Sequence, residues 1–240
     1  MNTFIRRSLT NINKRLYQSL KRYQYKRRPK IFCIGRNKTG TTSLEKALKD
    51  LGYEVGNQAK AELLIHEYDK RNFRAIVEYC YTAEAFQDIP FSLPYTYLVL
   101  DYAFPGSKFI LSIRNDEEEW YQSLIRFHAK RYGIDGIPQK EHIFNDTYRY
   151  KGFIWEANRI IYDTPENDPF NETILKEHYL RHNEDVKKYF KFRDDLLVIN
   201  IKENGSYHKF CDFLGRKPVY DNFPWLNRSS SDKSAVDDQR

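Results

Sequence analysis

A chain of 240 residues with 19 Tyr, 16 Phe and 3 Trp holds enough apolar material for a core. A domain of roughly this size buries about three quarters of its unfolded surface and needs no disulfide or structural metal to stay folded. The net charge of +7 is concentrated at one end: residues 1–30 carry ten Lys or Arg and no acid, which leaves 30 bases against 33 acids in the rest. The body of the chain therefore lacks the basic footprint of a nucleic-acid binder. No run of 18 apolar residues reads as a membrane span. Cys33, Cys80 and Cys211 are too widely spaced for a disulfide framework and have no His at zinc-ligand spacing, so they read as buried reduced thiols.

Residues 1–28 set Ile5, Leu9, Ile12, Leu16 and Leu20 on one helical stripe among the bases, and Pro29 ends the segment. Three readings stay open: a solvated helical tail, a helix lying on an anionic membrane, and an organellar targeting segment. The expectation is a basic tail over 1–29, one domain over 30–228, and a polar tail over 229–240. With no apolar signal region at the start, a cytoplasmic protein is expected, with any membrane contact made through residues 1–28.

From residue 30 onward strands and helices alternate. Residues 30–35 form a short apolar run, read as a buried strand, and residues 42–51 a helix that Gly52 stops. A short strand at Tyr53–Val55 is predicted next, then helical patterns over 61–67 and 71–79 and a strand over 84–87. Residues 94–103 read as a helix, 108–113 as the clearest buried strand, and 117–130 as a helix with acids at its N-terminal end, where the helix dipole favours them. Residues 133–170 show no strong pattern beyond a helix over 153–162. A charged helix over 172–191, a last strand over 196–201 and a helix over 207–214 complete the body. Such alternation predicts an α/β domain, a parallel sheet in three layers with helices on both faces. Ligands of such sheets bind beyond the carboxyl ends of the strands.

Two strand ends stand out. Gly35-Arg36-Asn37-Lys38-Thr39-Gly40-Thr41-Thr42 joins the first strand to a helix with the Gly-x4-Gly spacing of a phosphate loop. Backbone N–H groups of that turn and the helix N-terminus would cradle an anion. It is not a Walker A loop, because Thr41 takes the place of the Lys that ends that motif. Lys38, two residues before the second Gly, would instead sit beside the cradled group and steady a leaving oxygen. An ordinary Gly/Thr turn capped by Thr41 or Thr42 is the competing reading. At the second strand end, Arg114 and, on the next helix, Ser123 would hold a phosphate from two sides. Alone, Arg114 would as well pair with one of Asp116, Glu117, Glu118 or Glu119. Together the two ends describe a nucleotide with a 5′ diphosphate-like group and a further phosphate elsewhere.

Here the chain resembles a known family. Lys38-Thr39-Gly40-Thr41-Thr42-Ser43-Leu44 is similar to the 5′-phosphosulfate loop of the sulfotransferases. Phe109 to Arg114, continuing to Trp120-Tyr121-Gln122-Ser123-Leu124, resembles their 3′-phosphate motif, and residues 85–91, 104–109, 210–215 and 223–227 resemble a bacterial-type branch. Two departures stand in the second motif: the usual Arg-x-Pro opening is Arg114-Asn115-Asp116, and Ser123 follows Arg114 by nine residues instead of eight. The resemblance implies a P-loop-like fold and metal-free, in-line transfer of a sulfuryl group from 3′-phosphoadenosine 5′-phosphosulfate (PAPS) to a hydroxyl or amine of a carbohydrate, lipid or small molecule. It implies a 5′ site of Arg36, Asn37, Lys38, Thr39, Gly40, Thr41 and Thr42, and a 3′ site of Arg114 and Ser123.

A base should deprotonate the acceptor. Asp88 is the first candidate, following a short strand among aromatics that would raise its pKa; a turn cap is the competing reading. Glu62 and His66 come next, then His128 and His142. Trp120, Tyr132, Tyr148 and Trp155 are candidates for a cleft wall, although such residues are more often core. A P-loop kinase or nucleotidase and a non-enzymatic nucleotide-binding protein are the rival readings.

Overall fold

The computed structural model describes residues 19–20, 23–26 and 28–224. Most of the expected basic tail and the polar end from Ser229 lie outside the described residues.

Four short strands form one parallel sheet in the order β2-β1-β3-β4: β1 (Ile31–Cys33), β2 (Ala85–Gln87), β3 (Lys108–Ser112) and β4 (Leu196–Ile199). Side chains alternate across a strand, and here both faces are apolar. Phe32, Ile34, Phe109 and Leu111 enter one core; Ile31, Cys33 and Ile110 enter the other. Helices α1 (Thr41–Asp50) and α10 (Ser206–Leu214) cover the second face, through Leu44, Ala47, Leu48, Tyr207 and Phe210. Helices α5 (Thr96–Ala103), α6 (Glu117–Tyr132), α8 (Phe153–Tyr162) and α9 (Glu172–Tyr189) cover the first. The predicted three-layer α/β class is the one found. Phe32 lies fully buried among the rings of Phe86, Phe91, Phe104 and Phe109, with centroids 5.5–6.2 Å away. The three cysteines are buried and free.

Three local expectations change. Tyr53–Val55 is no strand; Val55 makes a single bridge to Ala85, Gly56 N donates to Ala85 O (2.9 Å), and the chain then leaves the edge at Asn57, which caps the next helix. The helix over 61–67 breaks into α2 (Gln58–Glu62) and α3 (Ile65–Asp69), with α4 (Phe73–Tyr79) following. Three consecutive apolar residues cannot share a helix face, and the break turns Leu64 and Ile65 to the core while Leu63 stays exposed. A short helix α7 (Lys140–Phe144), closed by a capping box between Gln139 and His142, occupies part of the segment that showed no pattern.

The strand order fixes the site. From β1 the chain crosses to one side to make β2 and then returns to the other side to make β3. Beyond the carboxyl ends of β1 and β3 lies the switch point of the sheet, where ligands of open α/β sheets bind. Both distinctive sequence segments leave the sheet there.

Candidate active site

β1 leaves the sheet through Gly35, which is pressed against β3: a Cβ there would lie 2.2 Å from Ser112 Oγ and 2.3 Å from its backbone oxygen. Gly40 opens α1 at φ 103°, and a Cβ would lie 2.1 Å from Ile201 Cδ1. Only glycine meets both demands at that position. No side chain caps α1 and no acid occupies its first turn, so its leading N–H groups are left for an anion. Helix α6 is the contrast: Asp116 caps it and three Glu follow.

The inner half of the loop is a scaffold. Arg36 turns into the interior, 1% exposed, where Nη1 donates to Ser92 O (2.8 Å) and the guanidinium carbon lies 5.2 Å from the Tyr162 ring centre. Thr39 is fully buried; its hydroxyl donates to Arg36 O (2.5 Å) and shares a 2.7 Å hydrogen bond with Ser112 Oγ. Trp120 Nε1 donates to Asn37 O (2.8 Å), and Tyr162 OH donates to Asn37 Oδ1 (3.4 Å). Arg36, Asn37 and Thr39 thus shape the turn, while Lys38, Gly40, Thr41 and Thr42 make its outer edge.

Lys38 has a left-handed backbone (φ 65°), and its ammonium sits 3.2 Å from the Phe127 ring centre. Burial first, and the Arg114 charge second, bring its pKa down to about 8, against the pull of Asp88. Arg114 Nε donates to Lys38 O (2.8 Å), which locks the two sequence motifs together. Its Nη1 lies 3.6 Å from Glu119 Oε1, and Lys202 Nζ lies 3.1 Å from the same oxygen. The carboxylate partner considered for Arg114 is therefore present, and it gathers a second cation from the end of β4. Ser123 is half-buried on α6 and takes no part in the hydrogen bonds that tie the loop to Arg114.

Asp88 follows β2 and is also left-handed (φ 60°). Its Oδ2 accepts from Thr41 Oγ1 (3.0 Å) and its Oδ1 from Ile89 N (2.9 Å). It thus caps its own turn and touches the phosphate loop as well. Burial raises its pKa; the two hydrogen bonds and the charges of Arg36 and Lys38 oppose the rise.

The other base candidates are engaged or silenced. Glu62 is 8% exposed and ion-paired to Arg149 (2.5 Å), with Tyr148 OH donating to it at 3.3 Å. His66 bonds Tyr150 OH (2.7 Å), and His142 Nδ1 accepts from Gln139 N (3.0 Å) in the capping box. Burial, then Lys38, pushes His128 down to about 3, leaving it a very weak base. Of the aromatics, Trp120 is core, stacked on Tyr179 (4.7 Å). Trp155 packs edge-on to Phe144, and Tyr132 lies beside His128. Tyr148, 41% exposed, stands beside Glu62 as a wall residue.

Lys202 and Tyr179, whose hydroxyl accepts from Arg114 N (2.9 Å), were not among the residues singled out in the sequence, whereas Glu119 was one of the four acids considered for Arg114. For Lys202 the available signal was its place just past the end of a strand.

The fold and the loop define an α/β protein of the phosphate-loop kind, with an uncapped helix N-terminus, an ammonium and a guanidinium gathered at the switch point of a parallel sheet. The family model described as "Sulfotransferase domain" matches residues 30–231, and the chain belongs to that family: it is a transferase that moves sulfuryl groups. A comparison with curated proteins finds no match. Among the described residues no helix is long and apolar enough to cross a membrane, and no three His, Cys, Asp or Glu side chains converge on a metal position.

Proposed function

We propose that the chain carries a sulfuryl group from PAPS to a hydroxyl or amine of a polar acceptor. The observation that carries this reading is one continuous set of contacts. Asp88 bonds Thr41 at the N-terminus of α1, and Arg114 bonds the backbone of Lys38, so a base, a helix N-terminus and two cations share one rim. The N–H groups ahead of α1, with the Thr41 and Thr42 hydroxyls, would hold the 5′ end of the donor. Arg114, released in part from Glu119, would hold the 3′-phosphate, with Lys202 beside it. Ser123 is the weaker 3′ candidate.

Asp88 would take the proton of the acceptor as its oxygen or nitrogen attacks sulfur. The bond from sulfur to the bridging oxygen breaks, and the Lys38 ammonium would meet the charge that grows on that oxygen. Positioning and charge stabilisation suffice for such a transfer, as in phosphoryl transfer. A polar acceptor is favoured because Gln58, which donates to Ile89 O (2.9 Å), and the Glu62–Arg149–Tyr148 group stand on the Asp88 side of the loop. Sugars, lipid headgroups and small polyols fit that wall.

The test is transfer of labelled sulfate from PAPS to a panel of such acceptors, with wild type and Asp88→Asn compared. Turnover on at least one acceptor, lowered about 10²–10⁴-fold in the variant, is expected of a general base. Equal turnover in both would remove Asp88 from that role. Transfer from ATP with Mg²⁺ in place of PAPS would favour the kinase reading.

A further inference from the structure

Of the three charged side chains that meet beyond the ends of β3 and β4, the proposed reaction uses Arg114 and Lys202 and leaves Glu119 without a role. Arg114 follows β3 and Lys202 follows β4. Both turn to one oxygen: Glu119 Oε1 lies 3.6 Å from Arg114 Nη1 and 3.1 Å from Lys202 Nζ. Glu119 comes from the first turn of α6, and its other oxygen accepts from Asn115 N (3.1 Å). A carboxylate thus stands where an anion held by the two cations would stand. The side chains of Arg114, Glu119 and Lys202 are 12%, 21% and 30% exposed, so a ligand can reach them from solvent.

The frame of this cluster is braced without Glu119. Arg114 Nε donates to Lys38 O (2.8 Å), and Arg114 N donates to Tyr179 OH (2.9 Å). The contact of Nη1 with Glu119, at 3.6 Å, is by contrast longer than a hydrogen bond. The turn that carries Lys202 is held by Asn200, whose Oδ1 accepts from Lys202 N (3.1 Å) and whose Nδ2 donates to Asn115 Oδ1 (2.8 Å). Helix α6 has its own cap in Asp116, which accepts from Glu119 N (2.6 Å). What the Glu119 side chain adds is a negative charge between two positive ones.

We infer that Glu119 is an internal competitor of the donor's 3′-phosphate, an inference that rests on the reading of Arg114 as the group that holds that phosphate. A bisphosphate must draw both cations from Glu119, and the carboxylate must turn from the arriving dianion, because like charges in a half-buried site repel. A nucleotide with a 3′-hydroxyl brings no charge for the cations and leaves Glu119 in place. An inorganic phosphate meets the same competition and has no second anchor at α1 to offset it. Glu119 thereby keeps stray anions out of the site and limits how tightly the bisphosphate product is held.

The test is calorimetry of adenosine 3′,5′-bisphosphate and adenosine 5′-monophosphate on wild type and Glu119→Gln, which keeps the shape and the acceptor for Asn115 N but not the charge. The bisphosphate should bind the variant about five- to tenfold tighter than wild type, with the monophosphate unchanged. In wild type, the side-chain carboxyl ¹³C resonance of Glu119 should move on addition of the bisphosphate and not of the monophosphate, a readout that needs no variant. Unchanged or weaker bisphosphate binding by a folded variant, or a Glu119 resonance that ignores the bisphosphate, would overturn the proposal and leave the two-ended reading of the nucleotide intact. Wild type that binds both nucleotides equally would remove that reading, and this inference with it.

Discussion

Lys38 and Asp88 are driven toward each other in acidity. Burial lowers the ammonium to about 8 and raises the carboxyl, so both move toward neutral pH; in the proposed reaction the first would stabilise the leaving oxygen and the second would take the acceptor proton. The free-enzyme profile of kcat/KM should therefore rise as Asp88 loses its proton and fall near pH 8 as Lys38 loses its own. Lys38→Arg should move the alkaline limb upward by more than one pH unit, because a guanidinium does not titrate there. An unmoved limb would assign it to another group. Lys38→Ala should lower kcat by about 10²–10³-fold, the cost of one stabilising group at a developing charge. The linkage to stability has a definite sign. A lysine whose pKa falls on folding adds stability above its unfolded pKa, and that contribution is lost as pH falls through about 8. Lys38→Met should thus flatten the pH dependence of Tm over that window. At this scale the sequence was informative about place: Asp88 and Arg114 follow strand ends, and Lys38 lies in the loop between β1 and α1. It was silent on direction: nothing in the string shows that Arg36 turns inward to Ser92 while Lys38, two residues on, lies over the Phe127 ring.

At the level of elements, two glycines do different work in the same backbone region. Gly40 and Gly133 both have positive φ, but a Cβ at Gly133 meets nothing within 4 Å, whereas at Gly40 it strikes Ile201. Gly133→Ala should cost about 1 kcal/mol of stability and leave nucleotide affinity unchanged. Gly40→Ala should cost a similar amount and also lose most of the affinity for adenosine 3′,5′-bisphosphate, since Ile201 or the first turn of α1 must move. Equal affinities in a titration of the two variants would count against the cradle at α1. In the sheet, Phe32→Ala should cost about 3–5 kcal/mol, measured by urea denaturation, because five phenyl rings close over one another there. The elements themselves were largely legible, since apolar runs such as Lys108–Ser112 and the three-and-four spacing of Leu44, Leu48 and Leu51 are local signals. What failed was non-local. Whether Tyr53–Val55 pairs along an edge depends on how far it runs beside Ala85 before Asn57 starts a helix, and the break at Leu63–Leu64 depends on which side the core takes.

For the whole molecule, alternating strand and helix announced a layered α/β domain, but strand order is not written in any local pattern. The order β2-β1-β3-β4 is what sets Gly35 against Ser112 and brings Arg114 to the backbone of Lys38, residues 76 apart in the chain. The reading of one doubly phosphorylated nucleotide held from both ends depends on that neighbourhood. Calorimetry tests it directly, with adenosine 3′,5′-bisphosphate and adenosine 5′-monophosphate titrated without added metal into wild type and Arg114→Ala. The bisphosphate should bind wild type about 10-fold or more tighter than the monophosphate, as expected for one charge-assisted contact, and Arg114→Ala should erase that difference. Equal affinity of wild type for the two nucleotides would contradict the account.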